Sequence, residues 1–159
     1  MNNAVGVTRI FDLLKRNILL GLGTDGMSSD MLSQMRCGYL LHRLANKDPR
    51  VAFMELPQLL LWNNPDIVER QFGIRVGELA EGRPADLAIL DYQPPTVLNE
   101  NNFLGHLIFG LVDATVDTTV CKGQILMQNK RILSMDEERI AARSRELAPE
   151  MWKRLAELA

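Results

Sequence analysis

Apolar residues near the N-terminus recur with the period of a helix. Residues 5–17 place four of them on one face at the i, i+3, i+4, i+7 spacing: Val7, Ile10, Phe11 and Leu14. Residues 18–24 then form a short apolar run closed by glycines, which is too brief for a helix and is typical of a strand buried on both faces. A helix followed by a buried strand predicts a parallel α/β protein.

The middle of the chain carries helical patterns separated by turn signals. Ser28 and Ser29 can cap the helix that follows them. Pro57 is expected to interrupt a later helical stretch, and Pro65 to start a short helix that Gly73 ends. This region is therefore predicted to consist of several helices rather than one.

Beyond Gly77, strand signals replace the helical ones. Residues 86–90 form an apolar run between glycines and prolines, and β-branched residues gather in 115–120. The pairs Lys122–Gly123 and Asn129–Lys130 are tight-turn signals. A small meander is therefore expected, with strands at residues 115–120, 124–127 and 131–133.

The C-terminal residues predict one more helix. Ser134 precedes Glu137 by three positions, which is the spacing of a capping box. The apolar residues that follow trace one helical face: Ile140, Leu147, Met151, Leu155 and Leu158. Pro149 is expected to kink or split this helix, because proline removes one backbone hydrogen bond and clashes with the preceding turn.

Composition excludes two classes of partner. The 159 residues are 47% hydrophobic and 24% charged, with a net charge of -2, so there is no positive field to attract nucleic acid or an anionic membrane. Apolar runs such as 18–22 fall far short of the roughly 20 residues that cross a bilayer. The N-terminus lacks the basic-then-apolar order of a signal peptide, and we expect a cytoplasmic protein.

Cysteines and histidines are few. We expect Cys37 and Cys121 to be reduced, buried thiols, because a chain of this length does not need a disulfide to hold its core. His42 and His106 lie far apart, with no second ligand at helical or turn spacing, so the chain alone cannot form a typical His-rich zinc site. We expect His42 to face solvent or cap a helix, and His106 to be half-buried and bonded to the backbone.

Asp25 is the most informative polar residue. It follows the predicted strand at its carboxyl end, where α/β folds place catalytic groups, and the neighbouring Gly23 and Gly26 would let a ligand approach closely. Asp-Gly is also among the commonest turn pairs. Asp25 could therefore act in chemistry or simply close a turn.

Other polar residues near Asp25 have simpler interpretations. Ser28 and Asp30 could steer a substrate, but capping of the next helix explains them more economically. Asp86 is expected to hold a turn at the start of a strand. The methionines Met27, Met31 and Met35 are expected to pack on a helix face rather than bind a soft metal.

Three motifs, in this order along the chain, resemble the C-terminal part of the amidohydrolase superfamily. They are GLGTDG at 21–26, GELAEGRPADLAILD at 77–91 and VCKGQILM at 120–127. The resemblance is nearest to the cytosine deaminase and chlorohydrolase-like group, and within it to the SsnA-type aminohydrolases. It extends from residues 2–6, which resemble the loop after the family's seventh barrel strand, to the terminal helix.

The resemblance implies a role for Asp25. In this family a (β/α)₈ barrel holds a metal-bound water, and the last barrel strand ends in an aspartate that binds the metal and accepts the proton of that water. Asp25 matches it, which implies a residue that is both catalytic and a ligand of a divalent metal, Zn or Fe. The family's histidines are absent here, so the resemblance implies neither a bound metal nor activity for this chain alone.

The resemblance also implies a fold and its division. A complete barrel needs about 250 residues. The implied α/β fold is the C-terminal part of a metal-dependent (β/α)₈ (TIM) barrel hydrolase plus part of its small β-sandwich domain. The last βα units of the barrel are expected in residues 1–76, part of the small β-domain in 77–133 and a C-terminal helix in 134–159.

Two functions remain open from the sequence. The first is hydrolysis of a C–N bond in a small-molecule substrate, by deamination of a cyclic amine. The alternative is a non-catalytic α+β interaction module derived from such an enzyme, in which Asp25 only closes a turn. Because part of a barrel leaves the strand at 18–22 without parallel neighbours, we expect a homo-oligomer that covers this edge.

Overall fold

The computed structural model describes residues 5–26 and 28–158. The helices are α1 (Ile10–Lys15), α2 (Met31–Asn46), α3 (Glu55–Gln58), a π-helix (Leu59–Asn63), α4 (Asn64–Phe72), α5 (Phe103–Phe109), a 3₁₀-helix (Leu111–Asp113) and α6 (Glu137–Glu157). The strands are β1 (Leu87–Asp91), β2 (Thr115–Cys121), β3 (Gln124–Gln128) and β4 (Arg131–Ile132). Residues 2–4 of the predicted loop, and Met27, lie outside the described residues.

A single core cluster forms around α2. Met35 and Tyr39 of α2 are buried, and they share the cluster with Leu56 of α3 and with Leu107 and Ile108 of α5. Burial of each large apolar side chain contributes about 1.5–3 kcal/mol. The helices therefore hold together through α2, and α5 joins them although it follows the first strand in sequence.

Helix α5 was not predicted, and its packing explains its existence. It has only seven residues, contains Gly105 and ends at Gly110, so its local helical signal is weak. Its Leu107 and Ile108 are 4% and 0% exposed. Arg36 of α2 also forms a two-point ion pair with Asp113 just beyond α5, with distances of 2.7 and 2.9 Å. Tertiary contacts thus stabilise a helix that propensity alone does not specify.

Residues 55–72 form continuous helix, with a π-helical segment between two α-helical ones, rather than separate pieces. The predicted interruption at Pro57 is wrong, because this proline lies in the first turn of α3, where backbone N–H groups have no helical acceptor. The predicted end at Gly73, which has a φ of 69°, is confirmed, but a separate helix that starts at Pro65 is wrong, because the helix already runs through Asn63 and Asn64 into α4. Between α3 and α4 the chain widens into the π-helix.

The sheet is antiparallel throughout, with the order β1-β2-β3-β4. The predicted meander is confirmed. Both of its turns have positive φ at both central residues: 49° and 79° at Lys122 and Gly123, and 50° and 64° at Asn129 and Lys130. This is the turn geometry that matches the twist of antiparallel strands.

The terminal helix begins later than its predicted cap. The N-cap of α6 is Asp136, whose side chain accepts the Arg139 N–H at 3.0 Å, so the capping box from Ser134 is wrong. Glu137 instead accepts the Ile132 N–H at 3.3 Å. The helix continues through Pro149 without splitting. Every residue of its predicted apolar face is exposed: Ile140, Leu147, Met151, Leu155 and Leu158.

Two predictions for the first 24 residues are corrected. Helix α1 begins at Ile10 rather than near residue 5, because Gly6 has a φ of 100° and the Ile10 N–H bonds to the Thr8 carbonyl in a tight turn. Residues 18–24 contain no strand, and Ile18 is 44% exposed, so a strand buried on both faces is wrong. Among the described residues, no strand pairs with this segment to bury it in a sheet.

The cysteine prediction is half correct. Cys37 and Cys121 are free thiols, as expected, but both are exposed rather than buried. Cys37 lies on the face of α2 opposite the core, beside the exposed Leu40 and Leu44. Among the described residues, no helix is long and apolar enough to cross a bilayer.

Candidate metal-binding and catalytic site

Asp25 lies in an exposed turn directly after residues 18–24. Its φ is 53°, in the left-handed region, which aspartate tolerates better than most residues. One carboxylate oxygen, Oδ1, accepts the N–H of Gly26 at 2.8 Å. The turn role considered for Asp25 is therefore present, and the second oxygen, Oδ2, remains available to solvent.

Two asparagines hold the segment that leads to Asp25. The Asn64 side chain contacts both backbone groups of Leu22: Oδ1 accepts the N–H at 2.9 Å, and Nδ2 donates to the carbonyl at 2.9 Å. Asn63 donates from Nδ2 to the carbonyl of Leu20 at 2.8 Å and is itself buried. These bonds tie residues 20–22 to the junction of the π-helix and α4.

Gly21 allows this close approach. A Cβ placed at Gly21 would lie 2.7 Å from Cδ1 of Ile67, and closer still to Oδ1 of Asn64. Any side chain here would force either the segment or the Asn64 and Ile67 side chains to move, and so would disturb the contact between them. At Gly23, by contrast, a Cβ would meet nothing within 4 Å.

The start of α2 follows the turn and is well capped. Asp30 is the N-cap, and its Oδ1 accepts the Ser33 N–H at 3.0 Å, while the Ser33 hydroxyl bonds to Oδ2. These hydrogen bonds from Ser33 hold the pKa of Asp30 below its ordinary value. Ser28 accepts the Asp30 N–H at 2.8 Å rather than capping the helix itself. Capping thus accounts for Asp30, whereas the predicted caps Ser28 and Ser29 precede the N-cap, and Ser28 instead holds the turn before it.

His42 occupies a position that the sequence analysis did not expect. It is 6% exposed, so the solvent-facing or capping prediction is wrong. Its ring meets the ring of Phe11 edge-on, with centroids 5.6 Å apart, and it lies between cavities of about 310 and 150 Å³. Burial lowers the pKa of His42, against the opposing attraction of Glu55.

His106 is half-buried, as predicted, but its partners are side chains rather than backbone. Nδ1 lies 2.6 Å from the Tyr92 hydroxyl, and Nε2 lies 3.0 Å from Oγ1 of Thr96. Asp86 holds the predicted turn, because its Oδ1 accepts the Lys122 N–H at 2.6 Å just before β1. Both residues therefore have structural roles in the sheet region.

The candidate metal ligands do not converge within the part of the chain that the structure describes. No group of three or more histidines, cysteines, aspartates and glutamates forms there. Asp25 is consequently a candidate for one ligand and cannot by itself hold a cation. The prediction that this chain alone binds no metal remains a prediction.

A comparison with models of protein families identifies the family of this chain. The model described as "Amidohydrolase family" matches residues 1–126. The chain belongs to the amidohydrolase family. The motifs identified in the sequence thus indicated the right family, and Asp25, residues 18–24 and the two asparagines all lie within the matched region.

Similar proteins from this family are known. A 5-methylthioadenosine/S-adenosylhomocysteine deaminase of Pelotomaculum thermopropionicum is 32% identical over 93% of this chain and 35% of its own length. A deaminase of the same name from Thermococcus onnurineus is 35% identical over 83% of this chain and 31% of its own length. The chain thus spans about a third of the length of the curated relatives it matches.

A solved structure supports the same fold. The atrazine chlorohydrolase of Arthrobacter aurescens TC1, solved as a complex with zinc, is 28% identical, with a TM-score of 0.67 over 89% of this chain and 32% of that chain. The predicted α/β fold class, as part of an amidohydrolase enzyme, is confirmed.

Sequence reasoning missed Asn63 and Asn64. One signal was the pair Asn64–Pro65, which is typical of a turn and was assigned to the start of a helix at Pro65. Two polar residues inside a run of leucines, LLLWNN, were the other available sign. Their long-range partners, 42 and 43 residues away, follow only from the fold.

Proposed function

We propose that this chain contributes one part of the active site of a metal-dependent amidohydrolase that hydrolyses a C–N bond. Asp25 is the proposed metal ligand and general base. The observation that carries the proposal is the position of Asp25 in an exposed turn at the end of a fixed segment, inside the region that matches the family. Residues 1–76 would then belong to the barrel and 77–133 to the small β-domain.

The donor chemistry of Asp25 fits this role. A carboxylate is a ligand for borderline and hard divalent cations, including Zn²⁺ and Fe²⁺. A divalent cation held there would supply a water of lowered pKa. Asp25 would accept a proton at Oδ2, the oxygen not engaged by Gly26, and return it to the departing amine as ammonia leaves.

The proposed substrate is a small aromatic nitrogen heterocycle that carries an amino group. The similar proteins support this class, since one is a 5-methylthioadenosine/S-adenosylhomocysteine deaminase and another an atrazine chlorohydrolase. The amino group of adenine and the chlorine of atrazine are each carried by a ring carbon bonded to a ring nitrogen, where water can add. We choose 5-methylthioadenosine and 5'-deoxyadenosine as the first substrates to test.

A chimera tests the proposal. The matched C-terminal third of the Thermococcus onnurineus deaminase is replaced by this chain, which completes the barrel around Asp25; we call this protein the completed enzyme. We expect zinc-dependent ammonia release from 5-methylthioadenosine or 5'-deoxyadenosine. The 159-residue chain alone is expected to show no turnover, because Asp25 has no further ligands among the described residues.

Asp25→Asn in the completed enzyme is the decisive variant. It keeps the shape of the side chain and the acceptor for Gly26, but removes the ligand charge and the proton acceptor. We expect kcat to fall by about 10³-fold or more with an unchanged melting temperature. Asp12→Asn, a half-exposed position on α1 that pairs with Arg9, is the matched control. Wild-type kcat and zinc content in the Asp25→Asn variant would favour the non-catalytic module instead.

A further inference from the structure

Residues 18–24 contain no strand, so their course must be fixed by something other than a sheet. A side-chain amide carries one acceptor and one donor group, the same pair that a peptide unit presents. Asn64 uses both on a single residue, Leu22, as a neighbouring strand does when two residues exchange N–H and C=O bonds. Asn64 therefore substitutes for a strand at this point.

The two asparagines lie at the junction of the π-helix and α4. The π-helix ends at Asn63, and both Asn63 and Asn64 reach the backbone of residues 20–22. Such π-turns occur frequently at functional sites.

We propose that Asn63 and Asn64 are positioning residues that hold residues 20–22 in place and thereby fix the location of Asp25. The proposal rests on the function proposed above for Asp25. Between Leu22 and Asp25 there are only two residues, so a shift of the segment displaces the carboxylate. A misplacement of about 1 Å at a reacting group can lower a rate by about 100-fold.

The first experiment measures the contact itself and involves no metal. Amide hydrogen exchange at Leu22 is followed by NMR in the 159-residue chain. Asn64→Leu is expected to accelerate exchange at Leu22 by roughly tenfold, the order expected for a lost hydrogen bond. Asn46→Leu is the matched control, because Asn46 also donates to a main-chain carbonyl, that of His42 at 2.7 Å, and leaves the segment untouched. Unchanged exchange at Leu22 would overturn the proposal.

The second experiment measures the consequence for Asp25. In the completed enzyme loaded with Co²⁺, Asn64→Leu is expected to alter the visible spectrum of the metal and to lower kcat on the order of 100-fold, with KM nearly unchanged. Asn46→Leu should leave both at the parent values. Faster exchange at Leu22 with a parent spectrum and parent kcat would make the asparagines merely structural, and the proposal would be wrong.

A second variant approaches the same contact from the other side. Gly21→Ala places a methyl group against Oδ1 of Asn64, which must separate Asn64 from the segment while both asparagines are retained, and Gly23→Ala is its control. Only Gly21→Ala should reproduce the exchange and spectral changes; two alanine variants with equal effects would count against the proposal. If Asp25→Asn leaves kcat unchanged, the proposed function fails separately, and exchange at Leu22 still decides whether Asn64 holds the segment.

Discussion

The left-handed backbone of Asp25 suits both roles considered for this residue. In a turn, the φ of 53° lets Oδ1 reach the N–H of Gly26, which closes the loop locally. The same geometry leaves Oδ2 at the surface, where a ligand from outside the described chain could meet it. A non-glycine residue in this region of backbone space is uncommon and often marks a site where position matters.

His42 makes the stability of the chain depend on pH. Because burial lowers its pKa below the ordinary 6.5, the unfolded chain binds the proton more readily than the folded one. The stability that neutral His42 contributes is therefore complete above pH 6.5 and is lost as the pH falls towards the folded pKa. We expect the melting temperature to decrease between about pH 7.5 and 5.5.

Thermal unfolding of two variants checks this assignment. His42→Leu should flatten the decrease over that range, because it removes the titrating group while it keeps an apolar side chain against Phe11. His106→Gln is the matched control, since these are the only two histidines. A decrease that persists in His42→Leu would contradict the assignment to His42.

At the scale of elements, the predicted and the observed N-cap of α6 are different residues. The Ser134–Glu137 pattern predicts a capping box, whereas the structure gives the cap to Asp136 through the Arg139 N–H. Loss of an N-cap costs about 0.5–2 kcal/mol of helix stability. Helix α6 is sensitive to such a loss because none of its residues is buried.

We therefore expect Asp136→Ala to reduce the helical circular dichroism signal, and Ser134→Ala to leave it unchanged. The two substitutions lie two residues apart and both remove a small polar side chain, so each controls for the other. A loss of helicity in Ser134→Ala alone would restore the capping box and contradict the observed cap.

The elements that sequence predicted well are those that local chemistry determines. The turn pairs Lys122–Gly123 and Asn129–Lys130 require positive φ and obtain it, so the meander follows from them. The prediction of a strand at 18–24 is wrong because no strand among the described residues pairs with this segment. The apolar pattern predicts a buried strand only on the assumption that such neighbouring strands are present. Helix α5 was missed for the converse reason, since its packing on α2 outweighs a weak local signal.

The candidate site likewise contains one residue that the sequence identified and two that it did not. Asp25 was identified because a contiguous motif surrounds it and matches a family. The contribution of Asn63 and Asn64 could not be identified, because it depends on contacts across more than 40 residues. A resemblance in sequence thus located the reacting group, and only the fold located the residues that hold it.

At the scale of the whole molecule, the surface is larger than a compact monomer needs. The accessible surface is 12036 Å², whereas a folded monomer of 17.9 kDa exposes about 8,000 Å². Large apolar side chains contribute to this surface, and residues such as Leu44, Phe72 and Trp152 are each more than half exposed. Apolar surface of this extent marks an interaction site or an aggregation hazard.

We predict that the chain purified alone associates with a second copy. A stable contact buries about 1,600 Å² in total, and the excess surface of one chain is sufficient to supply its share. The exposed apolar side of α6, formed by residues such as Leu147, Met151 and Leu155, lies on a helix that can be exchanged or paired between two copies. Light scattering during size exclusion should give at least twice the monomer mass at micromolar concentration.

A matched pair of variants distinguishes specific association from non-specific aggregation. Met151→Glu should shift the chain towards monomer, and Glu138→Gln should not. A stable, well-folded monomer of the parent chain would contradict the prediction. It would mean that the segment at 18–24 and the apolar face of α6 stay exposed to water without causing association.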